Sequence, residues 1–209
     1  MLMVVTLLSS WKKHTSNNLL PMLGDWHGEN KKITTMKEVM HLFLLKTCDN
    51  KCPICCNNLY NIEEIPVVSV EELKEVHTVC FTGGEPFMYY GLNEMAGRIK
   101  TQYPNIKNIY AYTSGLSLLN FVKHSLATNC LSNIDGVSVS PKSKSDWEAF
   151  EEVFNCSSVQ SCKSNRLYVF DKDKMSRKYK GFDVIGRTWD KVFKTPDNEI
   201  FRRLPILLD

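Results

Sequence analysis

The 209 residues are 43% hydrophobic and 23% charged, the balance of a chain that folds around its own core. Twenty-six basic against 23 acidic side chains leave a net charge of +3, with no lysine or arginine tract, which argues against a nucleic-acid partner. No stretch is long and apolar enough to span a bilayer, and eight cysteines that cluster rather than spread fit a reducing compartment, so a cytoplasmic protein without a membrane partner is expected.

The opening MLMVVTLLSS lacks a basic lead and a small-residue cleavage pattern, and reads as a core strand or short helix. Residues 9–32 are polar and rich in turn formers. We expect residues 1–38 to be an N-terminal extension packing on the core, and 39–209 to be the core domain with its C-terminal elements. From Met40 a regular rhythm begins. MHLFLLKT reads as a buried strand. Ser69 and Glu72 make a capping box and start a helix. HTVCFT is a second strand, ended by Gly83-Gly84. Leu92, Met95, Ala96, Ile99 and Tyr103 then recur at helical spacing.

IKNIYAYT is a third strand, and Leu118, Leu119, Val122 and Leu126 line the helix after it. IDGVSVS is a fourth strand. Ser145 and Glu148 read as a second capping box, with Trp147, Phe150 and Phe154 on one side of its helix. RLYVF is a fifth strand and FDVIG a sixth. Alternating strand and helix predict a parallel sheet with right-handed crossovers. Five or six units are too few for a closed eight-fold barrel. An α/β fold remains, either an open partial (β/α)6-type barrel or a doubly wound sheet, and in both the ligands belong at the carboxyl ends of the strands.

Those ends carry the unusual residues. Cys48, Cys52 and Cys55 form C-x3-C-x2-C just after the first strand, and Cys56 follows directly. Three thiolates on one tight loop suit three irons of a cubane cluster and leave the fourth iron open. Zinc is the rival, with His41 and His77 as completing ligands in a non-catalytic α/β interaction module. Gly83 and Gly84, lacking Cβ, let a ligand approach the backbone beside Glu85. Thr113 and Ser114 end the third strand. Ser138 and Ser140, at i and i+2 in the fourth, share a face. Cys80, Cys130, Cys156 and Cys162 read most simply as core thiols, with a second cluster or a substrate-binding thiol as the alternative.

The cysteine spacing, FTGGEP (Phe81 to Pro86), AYTSG (Ala111 to Gly115) and VSVSP together resemble the radical SAM superfamily, over about residues 40–170. The resemblance implies an open partial barrel whose Cys48, Cys52 and Cys55 hold a [4Fe–4S] cluster. S-adenosylmethionine would chelate the open iron through its amino and carboxylate groups. An electron would cleave its C–S bond, and the 5′-deoxyadenosyl radical would abstract hydrogen from a substrate, a small molecule or a peptide. It further implies an electron donor such as flavodoxin or ferredoxin. The SAM-binding residues would be Gly83, Gly84, Glu85, Thr113, Ser114, Ser138 and Ser140, with Ile54 in a position where the family often has an aromatic residue. SVSPK resembles a segment of the 7-carboxy-7-deazaguanine synthases, which would give Lys142 a substrate carboxylate; glycyl-radical-enzyme activases are a second candidate subfamily.

Overall fold

The computed structural model describes residues 38–52, 55–59, 61–125, 129–171, 174–188 and 196–208. All belong to the unit Thr35–Asp209. The opening apolar segment, nearly all of the expected N-terminal extension, and Ile54 lie outside the described residues.

Seven strands form one sheet. They are β1 (Val39–Leu45), β2 (Thr78–Thr82), β3 (Asn108–Thr113), β4 (Gly136–Val139), β5 (Asn165–Val169), β6 (Phe182–Gly186) and β7 (Glu199–Leu208). Their order is β6-β5-β4-β3-β2-β1-β7, and every pairing is parallel. The helices are α1 (Val70–Glu75), α2 (Leu92–Gln102), α3 (Leu116–His124), α4 (Lys144–Val153) and the short α5 (Ser157–Gln160). The chain is therefore α/β with an open, all-parallel sheet.

The six strands read from the sequence are present. The seventh is added beside β1, where EIFRRLPILL hides its apolar pattern behind Arg202, Arg203 and Pro205. Its register slips between Phe43, opposite Arg203, and Leu45, opposite Leu208. The extra residues of β7 there include Pro205, which has no N–H to give the ladder.

α1 starts as expected. The Glu72 N–H donates to Ser69 Oγ at 3.2 Å, and the Ser69 N–H donates to Glu72 Oε2 at 3.1 Å. The box that opens α4 differs from expectation. It is Ser143 with Asp146, not Ser145 with Glu148. Both pairs have the right spacing, but Asp146 is buried and has a further partner, described below, whereas Glu148 is exposed.

Alternation along the strands divides the sheet into two unlike faces. Met40, Leu42, Val79, Phe81, Ile109, Ala111, Val137, Val139, Leu167 and Val169 are all buried, and their registers put them on one face. That face is apolar apart from Thr113 at the end of β3 and Asn165 at the start of β5, the pattern of a sheet covered by its crossover helices. The other carries His41, Cys80, Tyr110, Tyr112, Ser138, Arg166 and Tyr168.

Side chains on this second face converge. The His41 and Tyr112 rings lie 5.7 Å apart although β2 runs between their strands, which would keep backbones about 9.6 Å apart in a flat sheet. Tyr112 and Tyr168 stack at 6.2 Å across β4. The Glu199 carboxyl on edge strand β7 feels the charges of Arg166 on β5 and of Arg187 just past β6 at the opposite edge. The sheet curls with its polar, aromatic face inward, as an incomplete barrel requires.

Candidate functional site

The lead-in to the cysteines is fixed by the turn after β2. Gly83 has φ +77° and Gly84 φ +55°, conformations that side chains disfavour. A Cβ on Gly84 would lie 2.0 Å from the Thr47 carbonyl oxygen, and one on Gly83 would strike the Phe43 ring at 2.3 Å. The next residue closes the joint, because the Glu85 N–H donates to Thr47 O at 2.9 Å. Both glycines are thus demanded by the close approach of two strand ends. The space their missing side chains leave is filled by β1 and the residues after it, where the sequence suggested a ligand.

Glu85 is buried, and its carboxylate ties β2 to β3. Oε1 accepts from the Phe87 N–H at 3.2 Å; Oε2 accepts from Thr113 Oγ1 at 2.9 Å and the Ser114 N–H at 3.2 Å. Thr113 Oγ1 in turn accepts from the Gly115 N–H at 3.1 Å. Burial raises the carboxyl from its ordinary 4.5 to about 7, while these donors pull it down and Asp49 adds to the rise. The Ser140 N–H donates to Thr113 O at 2.8 Å and joins the end of β4 to the same assembly.

Two residues between the cysteines anchor the loop to helix starts. Ser117, in the first turn of α3, hydrogen-bonds to Asp49, placing that carboxylate near the helix N-terminus, where negative charge is favoured. Asn50 Nδ2 donates to both carboxylate oxygens of Asp146 at 2.8 and 2.9 Å. Asp146 also accepts from the Lys142 and Ser143 N–H groups at 3.0 and 2.9 Å. Asp49, Asn50, Ser117 and Asp146 escaped the sequence reading. The available signal was Asp-Asn inside the C-x3-C spacing, a polar pair in the one loop that must be held still.

The loop thiols sense one another. Burial raises the Cys48 thiol to about 11, and Cys52 adds to that rise. Cys52 is raised by burial first, opposed by the Lys142 ammonium, with Asp146 and Cys55 adding to it. All three cysteines are unpaired by disulfides; Cys48 is exposed and the others half-exposed. Among the described residues no three His, Cys, Asp or Glu side chains converge closely enough to hold a metal ion. The donor set still suits a soft, thiolate-seeking centre such as an iron–sulfur cluster, three thiols on an anchored, accessible loop. Just past β3, the buried Ser114 Oγ has no hydrogen-bond partner, an unmet polar group next to the Thr113–Glu85 assembly.

The histidines do not complete this site. His77 precedes β2, at the amino ends of the strands, and is the partner of Lys107 and Asn108 there through its carbonyl. His41 Nε2 lies 2.8 Å from Glu199 Oε2, its ring stacked 4.5 Å from Phe201. Nor does the sheet bring all of the expected hydroxyls together. Thr113 pairs in register with Val139 on the apolar face, whereas Ser138 lies on the opposite face. Ser138 Oγ is fully buried there without a partner, between the strands of the stacked Tyr112 and Tyr168. Ser140 and Lys142 are half-buried on the rim, just past β4.

No protein-family model matches the chain, and no curated protein is significantly similar to it in sequence.

Proposed function

We propose that the chain is a radical SAM enzyme, in which Cys48, Cys52 and Cys55 hold a [4Fe–4S] cluster and S-adenosylmethionine binds along the turns after β2, β3 and β4. The observation that carries this reading is the joint between the first two strand ends. Gly84 and the Glu85 N–H grip the Thr47 carbonyl one residue before Cys48. A structural zinc loop would need a fourth ligand, and His41 is engaged with Glu199 while His77 sits at the amino ends of the strands.

When bound, the cluster would supply an electron for reductive cleavage of the cofactor's sulfonium C–S bond, chemistry that ends in hydrogen abstraction from a substrate. The chain's own residues supply placement. Cys48, Cys52 and Cys55 would hold the cluster through three thiolates and leave a place for the methionine amino and carboxylate groups. Asp49 and Asn50 hold the loop rigid from two helix starts. Ser114 Oγ offers a hydroxyl to the nucleoside. The Lys142 ammonium offsets negative charge gathered at Cys52. The exposed edge at Cys48 is where an electron donor such as flavodoxin or ferredoxin would approach. The substrate is a small molecule or a peptide.

Anaerobic reconstitution with iron and sulfide tests the reading. A broad absorption near ~400 nm is expected, with 5′-deoxyadenosine released on addition of dithionite and SAM. A colourless protein that takes up zinc and releases no 5′-deoxyadenosine would favour the non-catalytic metal-binding module instead.

A further inference from the structure

Along the strands, the charged side chains of the concave face are Arg166 on β5, Asp183 on β6, and Glu199 and Arg203 on β7; Arg187 follows β6. The acids leave both Arg166 and Arg187 unanswered. His41 takes Glu199 at 2.8 Å, and the two arginines act on that carboxyl only from across the face. Asp183, the register partner of Arg166, makes no ion pair among the described residues. Arg203 is turned along its own strand, donating to the Leu204 and Pro205 carbonyls at 3.1 and 3.4 Å.

Arg166 and Arg187 meet rings instead. The Arg166 guanidinium carbon lies 4.4 Å from the centre of the Tyr110 ring, and that of Arg187 lies 4.9 Å from the centre of the Tyr168 ring. A ring contact leaves guanidinium N–H donors uncommitted. Tyr168 also brings the two cations to one place. It stands two residues after Arg166, on the same face of β5, and bears on that guanidinium as well. The Arg187 N–H donates to Val169 O at 2.8 Å, next to Tyr168 in the chain. Arg166 is half-buried, where an unpaired charge is unfavourable. Ser138, its register partner on β4, is fully buried on this face, and the Oγ has no hydrogen-bond partner. Unpaired cations and an unmet hydroxyl on neighbouring strands describe a polar place left for an anion.

We infer that the concave face binds a small organic anion, a phosphate or a carboxylate, on the Arg166 and Arg187 guanidinium groups. Planar guanidinium forks match the paired oxygens of either group. β5 and β6 lie beside β4 in the sheet, outside the turns after β2, β3 and β4 that serve the cofactor in the proposed function, so the anion belongs to a second ligand. That this ligand is the enzyme's substrate rests on the radical SAM reading; the anion binding itself does not.

The test titrates the full chain calorimetrically with phenyl phosphate and with benzoate. Saturable binding of at least one is expected, weakened by added salt, and the better probe identifies phosphate or carboxylate as the anion. Arg166→Ala and Arg187→Ala should each weaken it about tenfold, the scale of one charge-assisted hydrogen bond. Arg187 is exposed, so its variant decides the matter even where Arg166→Ala misfolds. Arg98→Ala, which removes a cation paired with Glu94 on α2, should leave binding unchanged. In the chain reconstituted with its cluster, saturating SAM should not displace the probe. Absence of saturable binding with both probes, binding indifferent to Arg187→Ala, or displacement by SAM would overturn the inference. Failure of the radical SAM reading would register separately, as a reconstituted sample without the ~400 nm band.

Discussion

The molecule has two groups of cysteines, at opposite ends of its strands. Cys48, Cys52 and Cys55 follow β1 at the carboxyl ends. Cys130 precedes β4, Cys156 precedes α5 and Cys162 precedes β5, all toward the amino ends. Within each group the thiols feel one another, since Cys130 raises both Cys156 and Cys162. The difference lies in what holds them. Cys156 Sγ donates to Glu152 O at 3.7 Å and Cys162 Sγ to Ser158 O at 3.5 Å, each to a backbone carbonyl four residues earlier. The β1 loop is braced by Glu85, Ser117 and Asp146, on three other elements. Thiol proximity and outside ties are common to both groups, since Gln160 Nε2, between Cys156 and Cys162, donates to Lys180 O at 2.9 Å; the β1 loop differs in that its ties run through carboxylates to two helix starts, at the carboxyl ends of the strands.

The sharpest break between the groups is expected from cysteine removal. Cys52→Ala should abolish the cluster absorption and SAM cleavage outright. Cys162→Ala should leave both intact and cost only about 1 kcal/mol of stability in a denaturant melt, the loss of a half-buried thiol. A Cys162→Ala protein that cannot be reconstituted would mean that the second group shares in the site.

The bracing itself can be attacked next. Gly84→Ala forces a Cβ against the Thr47 carbonyl at a positive φ, with no flexible side chain to move aside. A cost of roughly 3–4 kcal/mol is expected, with iron content falling in parallel. Asp146→Ala removes the carboxylate that accepts from the Ser143 and Lys142 N–H groups at the start of α4 and from Asn50, at about 2–3 kcal/mol. Its cluster band should form but decay faster in air, because the loop has lost one of its two ties to a helix start. An unchanged decay would show that the Asn50 contact serves α4 alone.

The parts of this arrangement differ in how far the sequence announces them. The strands β1 to β6 are apolar runs bounded by Gly, Pro and Ser, so period and punctuation suffice. β7 carries two arginines and a proline, and its partner β1 is more than 150 residues away, a pairing that local pattern does not encode. The cysteines and Gly83-Gly84-Glu85 are visible as spacing, but their physical relation is not. The glycines answer to Phe43 and Thr47, and that near contact exists only once two strand ends are side by side. With Ser145 as the expected cap, nothing in the local sequence singles out Asp146. Its importance comes from Asn50, 96 positions earlier.

The smallest effect concerns Glu85, the centre of the bracing, and is best seen as a slope. The folded carboxyl sits near 7 against an ordinary 4.5, raised chiefly by burial. Between those values the folded chain holds more proton than the unfolded one, so stability falls as pH rises through that window and is level above it. That value is already net of the Thr113, Ser114 and Phe87 donors, so the slope is at most about 1.4 kcal/mol per pH unit, on the order of 3–4 °C in melting temperature. Glu85→Gln cannot ionise, so the difference between wild type and variant should drift at that rate from pH 4.5 to 7, whatever other groups titrate in both. The absolute stability of the variant should also suffer, because the amide turns an N–H₂ toward a backbone N–H that the carboxylate accepted. The amino-end thiols lie far from this group, and Cys162→Ala should leave the slope untouched. If that variant flattens it as well, the two ends of the strands are coupled, and the contrast between the two groups must be redrawn.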